Sequence, residues 1–244
     1  MKAKSIFQCA ALLTGLLFLN VPLFAAVESD IVGYTTITLE AGKWYMIGTP
    51  FESLTKGEAI KINKDLVTGF SAGDILQVYS PAEGRYSVYK FKDGLSGEQT
   101  AGWCKTFGSS LQDITLQPGE AVFINKLTTS DVVVAGRVNL SAQYEFGDET
   151  TSVWNLLVSP TLQKTKLNDL NWVGVSANDI LQIYNPTTGL YTVYKYKTGL
   201  SGEKTAGWCK TFGSTPVDVD VDPGAAFFVN KATPGKATVG FSAN

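Results

Sequence analysis

The side chains of this sequence that could do chemistry are carboxylates, thiols and aromatic rings; histidine is absent. Without it the commonest general base and metal ligand are missing. Asp74, Glu83, Glu98 and Asp113 are then the candidates for two-carboxylate glycoside hydrolysis. No spacing singles out a pair among them, and carboxylates at strand ends and turns are ordinarily just solvated. A cysteine nucleophile would lack its usual activating partner. Asp218, Asp220 and Asp222 stand at alternate positions, hence on one strand face. There they would hold Ca²⁺ weakly, or form a charged edge that discourages aggregation. Trp103, Trp208, Tyr86, Tyr191, Tyr89 and Tyr194 offer ring faces for stacking on sugars, although Tyr and Trp are also ordinary residues of β cores. The chemistry-bearing residues thus point to binding. Neither an enzyme, a cofactor nor a metal site is expected.

Many of these residues occur twice because the chain is a duplication. Ala72–Lys126 returns at Ala177–Lys231 with a constant offset of 105 and no gap, with 35 identities in 55 positions. Upstream, Lys61, Asn63, Gly69 and Ser71 answer to Lys166, Asn168, Gly174 and Ser176, and Trp44–Pro50 resembles Trp154–Pro160 after a five-residue change in length. Among the carboxylates Asp74, Glu98 and Asp113 persist, as Asp179, Glu203 and Asp218. The sharpest match is Gly94–Ser109 against Gly199–Ser214, 15 identities in 16, broken only where Gln99 becomes Lys204. Its four glycines have a conformational explanation, but Glu98, Thr100, Lys105 and Thr106 do not. The binding candidates are therefore Glu98, Thr100, Trp103, Lys105 and Tyr89 in the first copy, with Glu203, Thr205, Trp208, Lys210 and Tyr194 in the second. Cys104 and Cys209 are equivalent by the repeat. Three states are open to them: a disulfide to each other, disulfides between molecules, or two buried free thiols.

Both copies read as strands that place these residues. Tyr34–Leu39 alternates and is β-branched; Trp44–Ile47, Asp74–Tyr79, Tyr86–Phe91, Trp103–Phe107, Ile114–Leu116, Ala121–Asn125 and Val132–Val138 follow, separated by Pro and Gly turns. Only 53–66 and 161–172 read as short helices. A repeat of about 105 residues is domain-sized. The expectation is an all-β chain of two tandem homologous antiparallel β-sandwich or β-barrel domains, 27–139 and 140–244. Residues 1–26 read as a signal peptide: Lys2 and Lys4 form a basic start, Leu12–Leu19 an apolar centre, and Pro22 precedes Ala25-Ala26. Cleavage there would leave a secreted or cell-surface protein without a membrane span in its mature chain.

The pattern resembles a known family. Gly33-Tyr34 opens an alternating strand, followed by Trp44-Tyr45-Met46-Ile47-Gly48-Thr49-Pro50, the strand Ile75–Tyr79, then Gly102-Trp103 and Leu116-Gln117-Pro118-Gly119-Glu120-Ala121-Val122-Phe123-Ile124-Asn125. This is similar to an uncharacterised family of secreted β-rich proteins from planctomycete–verrucomicrobial-group bacteria. The second copy departs from it, with Gln143-Tyr144-Glu145-Phe146 at the opening and Ala225 in place of Glu120. The resemblance implies a β-rich fold and export, and carries no catalytic residues.

Charge narrows the partners. Twenty basic residues against 22 acidic ones, without a block of either sign, give no electrostatic footprint for nucleic acid. The sequence therefore leads to an exported, non-catalytic structural or interaction protein of the cell surface or extracellular matrix. It would act through repeated faces on copies of itself or on an envelope protein. The alternative is a carbohydrate-binding module with one aromatic site per domain, its partner a polysaccharide.

Overall fold

The computed structural model describes residues 31–65 and 68–241. The expected signal peptide, 1–26, lies outside the described residues. Nearly all the regular structure is antiparallel strand, arranged in several sheets of which none closes into a barrel. The first copy contributes β1 (Val32–Leu39), β2 (Trp44–Gly48), β3 (Ile60–Lys61), the one-turn α1 (Ile62–Asp65), β4 (Ile75–Ser80), β5 (Arg85–Lys92), β6 (Gly102–Lys105), β7 (Thr115–Leu116), β8 (Ala121–Asn125) and β9 (Ser130–Arg137). The second contributes β10 (Gln143–Phe146), β11 (Trp154–Val158), β12 (Thr165–Lys166), a 3₁₀ turn (Leu167–Asp169), β13 (Asn171–Val173), β14 (Ile180–Asn185), β15 (Leu190–Thr198), β16 (Ala206–Lys210), β17 (Asp220–Val221), β18 (Ala226–Asn230) and β19 (Ala237–Gly240). Among the described residues of 53–66 and 161–172, the expected helices are single turns, flanked by the short strands β3, β12 and β13 and by irregular chain. Among the described residues no helix is long and apolar enough to cross a membrane.

The duplication is visible in the topology. The first copy builds a five-stranded sheet in the order β2-β8-β4-β5-β6, and the second repeats it as β11-β18-β14-β15-β16. The β4–β5 and β14–β15 hairpins turn where Pro81–Gly84 and Pro186–Gly189 predict, with Gly84 and Gly189 at φ 63° and 69°. Before β4 and β14 the chain needs another positive φ, 98° at Gly73 and 74° at Asn178. Asn is one of the few side chains that tolerates that conformation, which explains why this position changes between copies as it does.

Each five-stranded sheet is covered on both faces at its second strand, β8 or β18. Strand β8 shows how: Val122 and Ile124 enter a core with Leu39, Leu76, Trp103, Val132 and Val134, where the β1–β9 pair covers the sheet. Ala121 and Phe123, pointing the other way, enter the core of the second copy. Alternation therefore gives way to a continuously apolar strand, as expected when both faces are covered.

The faces that meet form an aromatic seam whose contacts come in exchanged pairs. Phe123 lies 6.1 Å from its own equivalent, Phe228. Tyr79 packs on Phe228 at 5.3 Å, and its equivalent Tyr184 on Phe123 at 5.8 Å. Trp44 stands edge-on to Phe123, as Trp154 does to Phe228. The backbone obeys the same exchange: Gly48 N–H donates to Gly224 O at 3.1 Å, and Val158 N–H to Gly119 O at 2.8 Å. This is the signature of a local twofold axis, with one chain making the self-complementary contact of a symmetric dimer. The link between β9 and β10 spans the expected 139/140 boundary, and the described residues from Ile31 onward form one compact unit.

Inside each copy a buried ion pair fixes one end of the sheet. Asp74 and Lys126 are both fully buried and bonded to each other, and Lys126 Nζ also donates to Gly69 O at 2.6 Å and lies 4.8 Å from the Phe70 ring. Asp74 accepts the amides of Ser71 and Leu127, each at 2.8 Å. Asp179 and Lys231 repeat the pair at 3.2 Å, with Gly174 O as the second lysine acceptor.

Phe123→Ala and Phe228→Ala should each destabilise the protein by about 3–5 kcal/mol, the cost of deleting a buried phenyl ring. Urea unfolding checks this. A loss below about 1 kcal/mol for both would mean that the seam is not a packed core.

Candidate functional site

The near-identical segments Gly94–Ser109 and Gly199–Ser214 occupy equivalent places: the loop after β5 or β15, the outermost strand β6 or β16, and the turn that follows. Most of their identity has a structural cause. Asn63 Oδ1 accepts the Trp103 amide at 2.6 Å, while its Nδ2 donates to Trp103 O and Gln112 O at 3.1 and 2.7 Å. Asn168 repeats all three bonds to Trp208 and Val217. A Cβ at Gly102 or Gly207 would stand 2.6 or 2.8 Å from that asparagine oxygen, so glycine is required there. Leu95 N–H donates to Thr100 O, and Leu200 N–H to Thr205 O, both at 2.9 Å, closing the loop.

Trp103 and Trp208 are 0% exposed. The expectation that they form a sugar-stacking platform is therefore corrected: each indole is a core residue. Phe70 and Phe91 lie 5.0 and 5.3 Å from Trp103; Trp172 and Tyr196 lie 5.1 and 5.3 Å from Trp208. Among the described residues neither buried indole N–H has a hydrogen-bond partner, which leaves the surrounding ring faces as weak acceptors.

Cys104 and Cys209 are free and fully buried, so the disulfide between them is not formed. The reason is topological. The twofold seam runs through β8 and β18, whereas the cysteines sit on β6 and β16, the outermost strands of separate sheets. Burial pushes the Cys209 thiol above its ordinary pKa, with Lys197 partly opposing the rise, which makes it a poor nucleophile.

The remaining candidates divide. Tyr89 faces Lys105 across the β5–β6 ladder, with the ammonium 4.7 Å from the ring; Tyr194 faces Lys210 in the same register and is buried. Glu98, Thr100, Glu203 and Thr205 lie exposed on the loops. Among the candidate carboxylates, Asp74 and Asp179 are held in the buried ion pairs and so are not open to a substrate. Asp218 and Asp220 are engaged by Lys166 at 2.9 and 2.6 Å, and Asp220 also by Lys164 at 2.8 Å, so lysines stand where a calcium ion would. Among the described residues no group of three potential metal ligands converges.

Beside the exposed Glu98, Thr100, Glu203 and Thr205, structural demand also leaves Phe107 and its equivalent Phe212 unexplained. Both are 102% exposed. Sequence reading carries the strand through Phe107, but β6 ends at Lys105, and a tight turn closes with Gly108 N–H donating to Lys105 O at 3.0 Å. The turn is clamped from below. Lys92 Nζ donates to Thr106 O at 3.2 Å and to Gly108 O, bracketing the phenylalanine; Lys197 does the same to Thr211 O and Gly213 O at 3.1 and 2.5 Å. Charge-assisted bonds of this kind hold a turn in one shape. Each copy thus presents a bare phenyl ring on a braced tip, forgoing the roughly 1.5–3 kcal/mol that burying it would contribute. The signal available in the sequence was the retention of Phe beside a turn glycine in both copies.

Two measurements check these assignments. Asp74→Asn should cost about 3–5 kcal/mol by leaving Lys126 buried without its counter-charge, and a cost near zero would contradict the buried pair. In a chain starting at Val27, both thiols should resist a water-soluble disulfide reagent when native and react fully once unfolded. Prompt reaction of the native protein would contradict their burial. Scans of protein-family models, of curated proteins and of solved structures return no match to the chain, so the role of the paired tips is argued from their geometry.

Proposed function

We propose that this is an exported, non-catalytic structural or interaction protein of the cell surface or extracellular matrix. Its two homologous β domains act through equivalent tips, Phe107 with Lys105 and Phe212 with Lys210. The observation that carries the reading is the full exposure of both phenylalanines within the most faithfully repeated segment of the chain. An exposed aromatic on a rigid support gives contact area at little conformational cost, the property that makes aromatics anchors at interfaces. Two such anchors in one chain would let a weak contact gain avidity on a repetitive partner, either further copies of the chain or an envelope protein. Export is supported by the leader-like 1–26 and by the resemblance to secreted β-rich proteins.

The test compares the mature chain with the double variant Phe107→Ser/Phe212→Ser. Sedimentation velocity over a concentration series reads self-association, and co-sedimentation with isolated bacterial envelopes reads partner binding. The wild type is expected to associate in at least one assay. The variant should lose that association while its stability changes by no more than about 0.5 kcal/mol per site, as for exposed positions. A wild type that stays monomeric and does not pellet with envelopes, or a variant that associates equally well, overturns the proposal.

A further inference from the structure

The seam leaves a second feature, distinct from the tips. Tyr79 and Tyr86 of the first copy and Trp154, Gln182, Tyr191 and Phe228 of the second line an open cleft of about 230 Å³. We propose that this cleft binds one ring of a neutral hexopyranose chain. The sugar-binding reading thereby moves from the buried tryptophans to the junction of the two copies.

The chemistry of the lining carries the inference. None of the six residues is charged, so an ionic ligand would find no counter-charge. The walls are aromatic and partly open to solvent, with Tyr86 and Tyr191 at 38% and 40% exposure. Such rings pack against the apolar C–H face of a pyranose. The polar groups are all neutral and unsatisfied: among the described residues the hydroxyls of Tyr79, Tyr86 and Tyr191, the Gln182 amide and the Trp154 indole N–H have no intramolecular hydrogen-bond partner. Burial first, then Tyr191 and Tyr79 close by, raise the Tyr86 phenol above its ordinary pKa. Like any phenol it is a protonated donor at neutral pH. A few neutral hydrogen-bonding groups on residues lining an aromatic cleft suit a sugar ring with several hydroxyls. The volume lies below the ~300–1,000 Å³ of drug-sized sites, so the cleft takes one ring while the rest of the polysaccharide stays in solvent. The ring–ring contacts that shape it, Tyr79–Tyr86 at 5.1 Å and Trp154–Phe228 at 6.1 Å, are part of the packed seam, so the site is preformed.

Isothermal titration of the mature chain with cellohexaose, laminarihexaose, mannohexaose, xylohexaose and maltohexaose tests it. Saturable binding is expected for at least one of the four built from hexoses. Tyr191→Ala should abolish it. Tyr86→Phe and Gln182→Leu, which keep the volume and the fold, should each weaken it about fivefold, the worth of one neutral hydrogen bond. Phe107→Ser/Phe212→Ser should bind the sugar as the wild type does, so failure here is distinguishable from failure of the tips. The proposal is overturned by an absence of saturable heat with all four hexose oligomers. It is equally overturned if Tyr86→Phe and Gln182→Leu both bind like the wild type, or if 4-nitrophenol binds as tightly as 4-nitrophenyl glucoside.

Discussion

The structure depends on closing one aromatic face against its own duplicate. Each five-stranded sheet is covered on one side within its own copy: by β1 and β9 in the first, by β10, β19 and β13 in the second. The other side carries Trp44, Met46, Tyr79, Tyr86 and Phe123, or Trp154, Tyr184, Tyr191 and Phe228. Left open, either face would be a contiguous apolar patch of the kind that soluble proteins seldom expose. Contact about a twofold axis solves both problems at once, because a patch complementary to itself needs no second invention. Placing both copies on one chain makes the contact intramolecular and so independent of protein concentration.

That closure determines which surfaces remain for partners. Strands β2 and β8 go to the seam with their equivalents, which leaves β6 and β16 outermost with the repeated segment on them. Within that segment, structural duty and display are separated residue by residue. Trp103, Cys104 and Gly102 serve the core and the Asn63 bracket, and Phe107 is left to solvent on a turn braced by Lys92 from the end of β5. The near-identity of the two segments thus has two sources, and packing accounts for only one of them. The cleft lined by Tyr79, Tyr86 and Tyr191 arises from the seam itself, where rings too peripheral to be fully covered stay partly exposed.

The strands were legible because alternation and turn chemistry act locally: Tyr34–Leu39, the Pro81–Gly84 turn and the apolar run of β8 all follow from short-range rules. The helical reading of 53–66 failed because nothing local reveals that Ile60–Lys61 pairs with Thr115–Leu116. The buried pair of Asp74 and Lys126 was equally hidden. The two residues are 52 positions apart, and a lysine with a fully covered ammonium has no sequence signature. Trp103 looked like a binding residue because a tryptophan in a faithfully repeated segment offers a ring face, and the layer that covers it, Phe70 among it, comes from a distant loop. Phe107 was missed for the converse reason. Continued alternation would have put it on the same face as Trp103, whereas the turn after Lys105 swings it into solvent.

The most direct test of the central claim is fluorine NMR of a chain starting at Val27 and carrying 4-fluorophenylalanine at positions 107 and 212. In the free protein both probes should give resonances sensitive to solvent, as befits bare rings. On raising the protein concentration or adding isolated envelopes, both should shift or broaden together as the rings are covered. Assembly that leaves both resonances unchanged would contradict the account, because the contacts would then be made by another face of the protein.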